Sequence, residues 1–389
     1  MAYIEMRNVG GHIMLIQSFS LHVAHIPLKK PFVTAIRSTN VAEVVRVALY
    51  TKEGAVGWGE AAATAMITGE TIASIKEAIE QHIAPAIIGL PVANISQLSA
   101  KIQSSIYGNH SAKAAVEIAC YDLWAKHHQA PLYQLLGGHT DTMETDLTIS
   151  IGTTEAMAND ALAAINSGFR ILKIKTGTSP TTDAQTIIDF WHEIKGNLPK
   201  ETLKNILLRI DANQGWSVQN AIKIAHKWAE NAIPIDLIEQ PTPAWDIDSL
   251  AQIQAHTTFP IAADESVFSA KDALKCIQRR AARVINIKLM KTGGICHALD
   301  ICTLCRIYDV ECMIGCMLEG EISASAAAHL AASQPIVTRI DIDSPLLCEE
   351  GFYAGGPIFQ GRIIAIPGLP GIGIEPSVGA NGVAKGAKK

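Results

Sequence analysis

The chain has 389 residues, 48% of them hydrophobic and 18% charged, which is enough apolar material for a large core in two domains or one large barrel with an attachment. That composition excludes a disordered chain, and a net charge of −5 without basic runs excludes the electrostatic footprint of a nucleic-acid binder.

In chain order, the stretch from Val9 to Leu28 lacks Asp, Glu, Lys and Arg. It nevertheless holds His12, Gln17, Ser18, Ser20, His22 and His25, and Phe19, Leu21 and Val23 alternate with polar or small neighbours, as in a half-buried strand. Neither a signal sequence nor a membrane contact is expected, and the location is expected to be cytoplasmic. From about residue 15 to 60 the pattern is strand-like, with a hairpin turning at Lys52-Glu53-Gly54. Helical patterns follow in TIASIKEAIEQHIAPAI and SAKAAVEIACYDLWAKHHQ, the second placing Ala115, Ile118, Ala119 and Leu123 on one face. Pro131 and the Gly137-Gly138 pair close this region.

From about Asp146 to Asp343 strand and helix alternate, the apolar runs being TDLTISIG, RILKIKTG, NILLRIDANQ, IDLIEQP, PIAADES, RVINIKLMK, ECMIGCM and TRIDID. Eight such strands joined by right-handed helical crossovers predict an α/β fold of the (β/α) barrel type. Residues after Leu347 are Gly- and Pro-rich, include RIIAIPG, and are expected to return to the first region. The basic end with Lys385, Lys388 and Lys389 reads as a frayed tail. Of the eight cysteines, Cys302 and Cys305 fall in a helical pattern and Cys312 and Cys316 in a strand, so they read as buried, reduced thiols and not as a zinc cluster.

Charges end five successive barrel strands: Lys173 and Lys175, then Asp211, Glu239, Asp264 and Lys288. Strand ends at the C-terminal mouth of a barrel are where such charges belong, because active sites are built there. Three carboxylates from neighbouring strands converge on one point, and an all-oxygen ligand set without His or Cys selects Mg²⁺ or Mn²⁺ over Zn²⁺. Each carboxylate taken singly could merely cap the next helix; three at consecutive strand ends make a metal site. Lys173 and Lys175 share a strand face, and Lys288 approaches from across the barrel. Two bases on opposite faces of a bound carbon remove a proton from one side and return one to the other, which inverts a stereocentre.

The K-x-K, D-x-N, E-Q-P, A-D-E-S and I-K-x-x-K-x-G-G motifs together resemble the muconate-lactonizing subgroup of the enolase superfamily over essentially the whole chain. The resemblance implies a (β/α)7β TIM-like barrel over 141–347 and an N-terminal α+β capping domain over 1–140, completed by about 348–389. It also implies that Asp211, Glu239 and Asp264 ligate Mg²⁺ and that Lys175 and Lys288 are the acid/base pair. Lys173 would tune its neighbour, and Asn213 and Glu265 would belong to the supporting shell.

Three further features bear on the substrate. Asp341 and Asp343 in RIDIDSP resemble the signature by which dipeptide epimerases hold a substrate ammonium, although one of the two could serve only as a strand-end helper. Arg37 in PFVTAIRST stands where Ala-Glu epimerases carry an Arg for the glutamate side chain, and Thr148 resembles a substrate-contacting residue. In MLEGEIS, Glu319 is ordinary for the subgroup; Glu321 either faces the substrate and disfavours a glutamate side chain, or complements the dipole of the next helix. Arg37 and the Gly57-to-Gly59 segment, read as a loop, are expected to close over the substrate.

The expectation is therefore a Mg²⁺-dependent isomerase that epimerizes dipeptides such as L-Ala-D/L-Glu from cell-wall peptide turnover, acting as a homo-oligomer on a small-molecule dipeptide. The alternatives in the subgroup are N-acylamino acid racemase, o-succinylbenzoate synthase and muconate cycloisomerase. A non-catalytic metabolite-binding barrel is the alternative of a different class, and the paired lysines argue against it.

Overall fold

The structure, a computed structural model, describes residues 14–376 apart from 36, 178 and 350–352; the N-terminal residues through Gly11 and the C-terminal lysines discussed above lie outside the described residues. Strands β1 (Ile16–Val33), β2 (Ser38–Thr51) and β3 (Val56–Ala62) form an antiparallel sheet. The β2–β3 hairpin turns where expected, with Gly54 at φ 88°, a left-handed conformation that favours glycine. The charge-poor N-terminal stretch is β1, and no helix of the described residues is long and apolar enough to cross a membrane.

Helix Ile72–Ala78, capped by Thr71, and helix His110–His127 follow. The pattern predicts one apolar face for the second, but it is buried nearly all round because the β-sheet covers one side and the barrel packs on another. Gly57 and Gly59 are not a loop: they lie in β3, where added side chains would run into the Ala119 and Ala115 carbonyls of this helix. Their role is close helix–sheet packing, and a segment held inside a sheet against a helix does not close over the cleft as a lid.

The barrel is an eight-stranded parallel sheet in sequential order: β5 (Leu147–Ile149), β6 (Ile171–Lys175), β7 (Leu207–Asp211), β8 (Ile235–Glu239), β9 (Ile261–Ala263), β10 (Val284–Ile287), β11 (Glu311–Gly315) and β12 (Val337–Asp341). It is preceded by β4 (Thr142–Glu144). A principal helix follows each strand through β11, and β12 is followed by a single turn, Ser344–Leu347, which gives the (β/α)7β count. Arg209, inside the barrel, fastens the seam between β5 and β12 by donating to Asp146 Oδ2 and to Ile340 O, both at 2.7 Å.

The C-terminal strands β13 (Tyr353–Gly355), β14 (Ile358–Gln360), β15 (Ile363–Ala365) and β16 (Ile374–Pro376) make two small antiparallel sheets, the second including β4. Asp122 of the buried helix accepts from Ile372 N and Trp58 N, both at 2.9 Å, so this segment does return to the N-terminal sheet. All eight cysteines are free, with Cys302 and Cys305 on helix Ile295–Tyr308, Cys312 in β11 and Cys316 just beyond it.

Candidate active site

Parallel register brings the charged residues to one level: Lys175 lies beside Asp211, and Asp211 beside Glu239. Lys175 Nζ is 2.6 Å from Asp211 Oδ2. Lys173, fully buried one pleat lower, has its Nζ 2.7 Å from Asp341 Oδ2, 2.8 Å from Glu239 Oε2 and 3.5 Å from Asp211 Oδ2. Across the barrel, Lys288 Nζ sits 2.7 Å from Asp264 Oδ2 and 4.0 Å from Glu239 Oε1. Since β6 and β10 are four positions apart in an eight-strand sequence, the two lysines face each other over the carboxylates.

Backbone after β7 and β8 is left-handed at Asn213 (φ 41°), Gln214 (φ 67°) and Gln240 (φ 35°), the kind of local strain that clusters at functional sites. Gln240 holds the next loop in place: its Oε1 accepts from Asp264 N at 2.9 Å and Ser266 N at 3.2 Å, and its Nε2 donates to Ser266 Oγ at 2.8 Å.

Electrostatically the site is a buried lattice of opposite charges. Burial raises the Glu239 carboxyl, the Asp211 and Asp264 charges add to this, Lys173 and Lys288 oppose it, and the net is a pKa of about 7. Burial also raises Asp264, but Lys288 and Lys291 overcome it and hold that carboxylate well below its ordinary range. For Lys173, burial favours the neutral amine while Asp341, Glu239 and Asp211 favour the ammonium more strongly, so its pKa rises. Glu265 is pushed up to about 8 by burial and by Asp264.

An oxygen-seeking cation fits this set. Both Glu265 oxygens, Asn213 Oδ1, Glu239 Oε2 and Asp264 Oδ1 are buried without a hydrogen bond, the last two having only ion contacts with Lys173 and Lys291. Acceptors outnumber donors here, as a divalent metal with oxygen ligands requires. The tightest acidic cluster is a different one, Asp146, Asp341 and Asp343, with one oxygen of each within 4.8 Å of the others. Asp146 already pairs with Arg209 and Asp341 with Lys173, so fixed cations partly balance that cluster, and the orphaned oxygens favour the first set for a metal.

Above these groups opens a narrow cleft, walled by Lys175, Lys288, Asp341, Asp343, Thr148 and, from the N-terminal sheet side, Phe32, Arg37 and Ile67. Asp343 Oδ2 accepts from Thr148 N at 2.6 Å, and burial together with Asp341 raises its carboxyl to about 6. Arg37 makes no ion pair among the described residues, and partial burial lowers its pKa. Lys173 and Asn213 also reach the wall.

Two predicted substrate contacts are not brought there. The Glu319 carboxyl is buried beside Glu60 and Ser323 and raised to about 8 by burial and the Glu60 charge. Glu321 is the first residue of helix Glu321–Ser333, outside the cleft wall, as expected of a side chain at a helix N-terminus. Two contributors went unrecognised in the sequence, and a third, Lys291, stood in the quoted I-K-x-x-K-x-G-G motif without a role. Asp146 shares strand parity with Thr148, Asn286 lies two before Lys288 and donates to Glu239 Oε1 at 2.9 Å, and Lys291 Nζ is 2.6 Å from Asp264 Oδ1. Parity with a suspected site residue was the available signal for the first two.

Two family models match the chain: "Mandelate racemase / muconate lactonizing enzyme, N-terminal domain" over residues 18–137 and "Enolase C-terminal domain-like" over residues 156–380. The chain belongs to this family. Its relatives include an L-Ala-D/L-Glu epimerase of Clostridium acetobutylicum, 43% identical over 93% of this chain and 99% of the relative. Among solved structures, a substrate-liganded L-Ala-D/L-Glu epimerase from Bacillus subtilis superposes with a TM-score of 0.89 at 42% identity, covering 93% of this chain and 99% of that one. A dipeptide epimerase from Enterococcus faecalis, in complex with Mg and L-Leu-L-Tyr, gives a TM-score of 0.87 at 38% identity, covering 93% and 100%.

Proposed function

We propose that this protein is a Mg²⁺-dependent dipeptide epimerase that inverts the α-carbon of the C-terminal residue, acting on L-Ala-D/L-Glu or a related dipeptide. The observation that carries the reading is the pair Lys175 and Lys288, placed on opposite sides of one cleft with three carboxylates from adjacent strands between them. The relatives and the liganded neighbours support the same activity.

In this reading one lysine, as the neutral amine, takes the α-proton, and the other, as the ammonium, delivers a proton to the opposite face; the next turnover runs with the roles exchanged. Asp211, Glu239 and Asp264 would hold the Mg²⁺, which when bound offsets the negative charge developing on the substrate carboxylate. Lys173 keeps Glu239 and Asp341 in place, and Glu265 and Asn213 offer further oxygens beside the ligand set. Asp341 and Asp343 are assigned to the substrate ammonium, Arg37 to a carboxylate side chain and Thr148 to the cleft wall between them. Phe32, whose ring centroid lies 5.8 Å from Lys175 Nζ, would help exclude water.

Racemases of N-acylamino acids, succinylbenzoate synthases and muconate cycloisomerases handle substrates without a free ammonium, so Asp343→Ala separates the readings. Use of dipeptides should fall far more than use of any N-acylated substrate; equal losses would favour the racemase reading. We assign the capping unit to 1–140 with about 348–389, and the barrel to 141–347, which the Asp122 contacts support. Free cysteines support a reducing cytoplasmic setting, and the reading is completed by a homo-oligomer acting in cell-wall peptide turnover.

A further inference from the structure

The outer layer of the barrel ends early. After β12 the chain makes one helical turn, Ser344–Leu347, so among the described residues no eighth long helix covers Leu147 and Ile149 of β5 or the facing Ala163 and Ala164. The seam is also open at the mouth, because Thr148 N–H is taken by the Asp343 carboxylate instead of a strand carbonyl. A second, largely apolar pocket, open to solvent along its rim, lies in this gap and shares Phe32, Thr148 and Leu347 with the cleft.

Its roof is the end of β1, which is tied down on three sides. Lys29 Nζ donates to Leu346 O at 2.9 Å, Val33 N donates to Ser150 Oγ at 3.3 Å, and Lys30 pairs with Asp160 at 2.5 Å across the rim. The chamber is thus a built feature of the fold, with apolar walls and its charges confined to the rim.

We propose that this chamber receives the N-terminal side chain of the dipeptide, so that among the related dipeptides the epimerase reading covers, those with a larger aliphatic or aromatic residue at that position are used better than L-Ala-D/L-Glu-type or Gly-first dipeptides. The inference rests on the epimerase reading and adds a substrate class to it. A substrate ammonium held by Asp343 sits at the seam, because Asp343 is bonded to Thr148 and Thr148 borders both spaces. The adjoining Cα then directs its side chain either back into the charged cleft or through the seam into the apolar chamber, and desolvation favours the chamber. Burying a Leu or Phe side chain there should raise kcat/KM about tenfold or more over Gly.

The test is kcat/KM for a series of dipeptides with one constant C-terminal residue and Gly, Ala, Val, Leu or Phe first, on the wild type and on Ala164→Leu and Ala163→Leu. Alanine to leucine is well tolerated by a helix, and two positions guard against a folding defect at one of them. The expected result is a rise along the series for the wild type, and in at least one folded variant a tenfold or larger drop in the Leu-to-Gly ratio, carried mainly by KM. A flat series in an active wild type, or variants that leave the ratio intact, overturns the chamber proposal while leaving the epimerase reading standing. A wild type inactive on every member, and on a wider panel, overturns the epimerase reading itself.

Discussion

Gly315 ends β11 beside Asp341, and its missing side chain makes room for two groups of the site. A Cβ there would lie 2.7 Å from Asn286 Oδ1 and 3.0 Å from Lys288 Cε. Asn286 is fully buried and its Nδ2 holds Glu239 Oε1 at 2.9 Å, so it cannot swing aside without giving up a bond to a carboxylate. Such a bond contributes about 1.5–3 kcal/mol, and overpacking by a methyl costs about 1–3 kcal/mol. Gly315→Ala should therefore lower stability by about 1–3 kcal/mol while the fold persists. Moving the Lys288 ammonium by about 1 Å should lower turnover on the order of a hundredfold. The assay is deuterium exchange at the α-carbon followed separately for each epimer: the epimer facing Lys288 should lose exchange, and the one facing Lys175 should largely keep it. Equal losses for both epimers in a folded variant would refute the argument, as would wild-type turnover.

Other outcomes follow from the same geometry. The neutral His329 ring, buried in helix Glu321–Ser333, accepts from Tyr133 N, and burial lowers its pKa from 6.5 to about 4. The unfolded chain therefore binds the extra proton between those values; the stabilisation is complete above pH ~6.5 and about 3 kcal/mol is lost as pH falls through ~4. Urea melts across that range should show this slope in the wild type and a flatter one in His329→Gln. Arg37→Ala should raise KM for substrates with a C-terminal Glu by about tenfold and leave neutral C-terminal residues nearly unaffected, as read from steady-state kinetics. Asp211→Asn, Glu239→Gln or Asp264→Asn should weaken Mg²⁺ binding in calorimetry and abolish turnover without unfolding the barrel. Full turnover after exhaustive chelation would rule out the metal.

The barrel was legible because its strands are short apolar runs that end in charge, a pattern solvent-exposed strands cannot show. Lys175, Asp211, Glu239, Asp264 and Lys288 announced themselves because charges at buried strand ends have few structural explanations. Gly57 and Gly59 misled because glycine serves loops and close packing alike, and only the neighbouring helix reveals which. Glu319 and Glu321 lie two residues apart near the mouth, but the chain turns into a helix there, so neither inherits strand geometry. Asp146 and Arg209 were invisible as a pair because they stand 63 residues apart in sequence, and the seam they fasten joins segments farther apart still, Thr148 and Asp343 being separated by 195 residues. The chamber beside the cleft likewise depends on where the eighth helix is missing, which no local pattern encodes.

The central claim is that two lysines serve the two faces of one carbon. Its most direct measurement is α-hydrogen exchange in D₂O, with Mg²⁺ and a panel of L,L- and L,D-dipeptides, on the wild type, Lys175→Ala and Lys288→Ala. The wild type should exchange and invert the C-terminal residue; each variant should lose epimerization in both directions while still exchanging the single epimer faced by its surviving lysine, a different epimer in each variant. Wild-type epimerization in both variants, or exchange of the same epimer in each, would contradict the account.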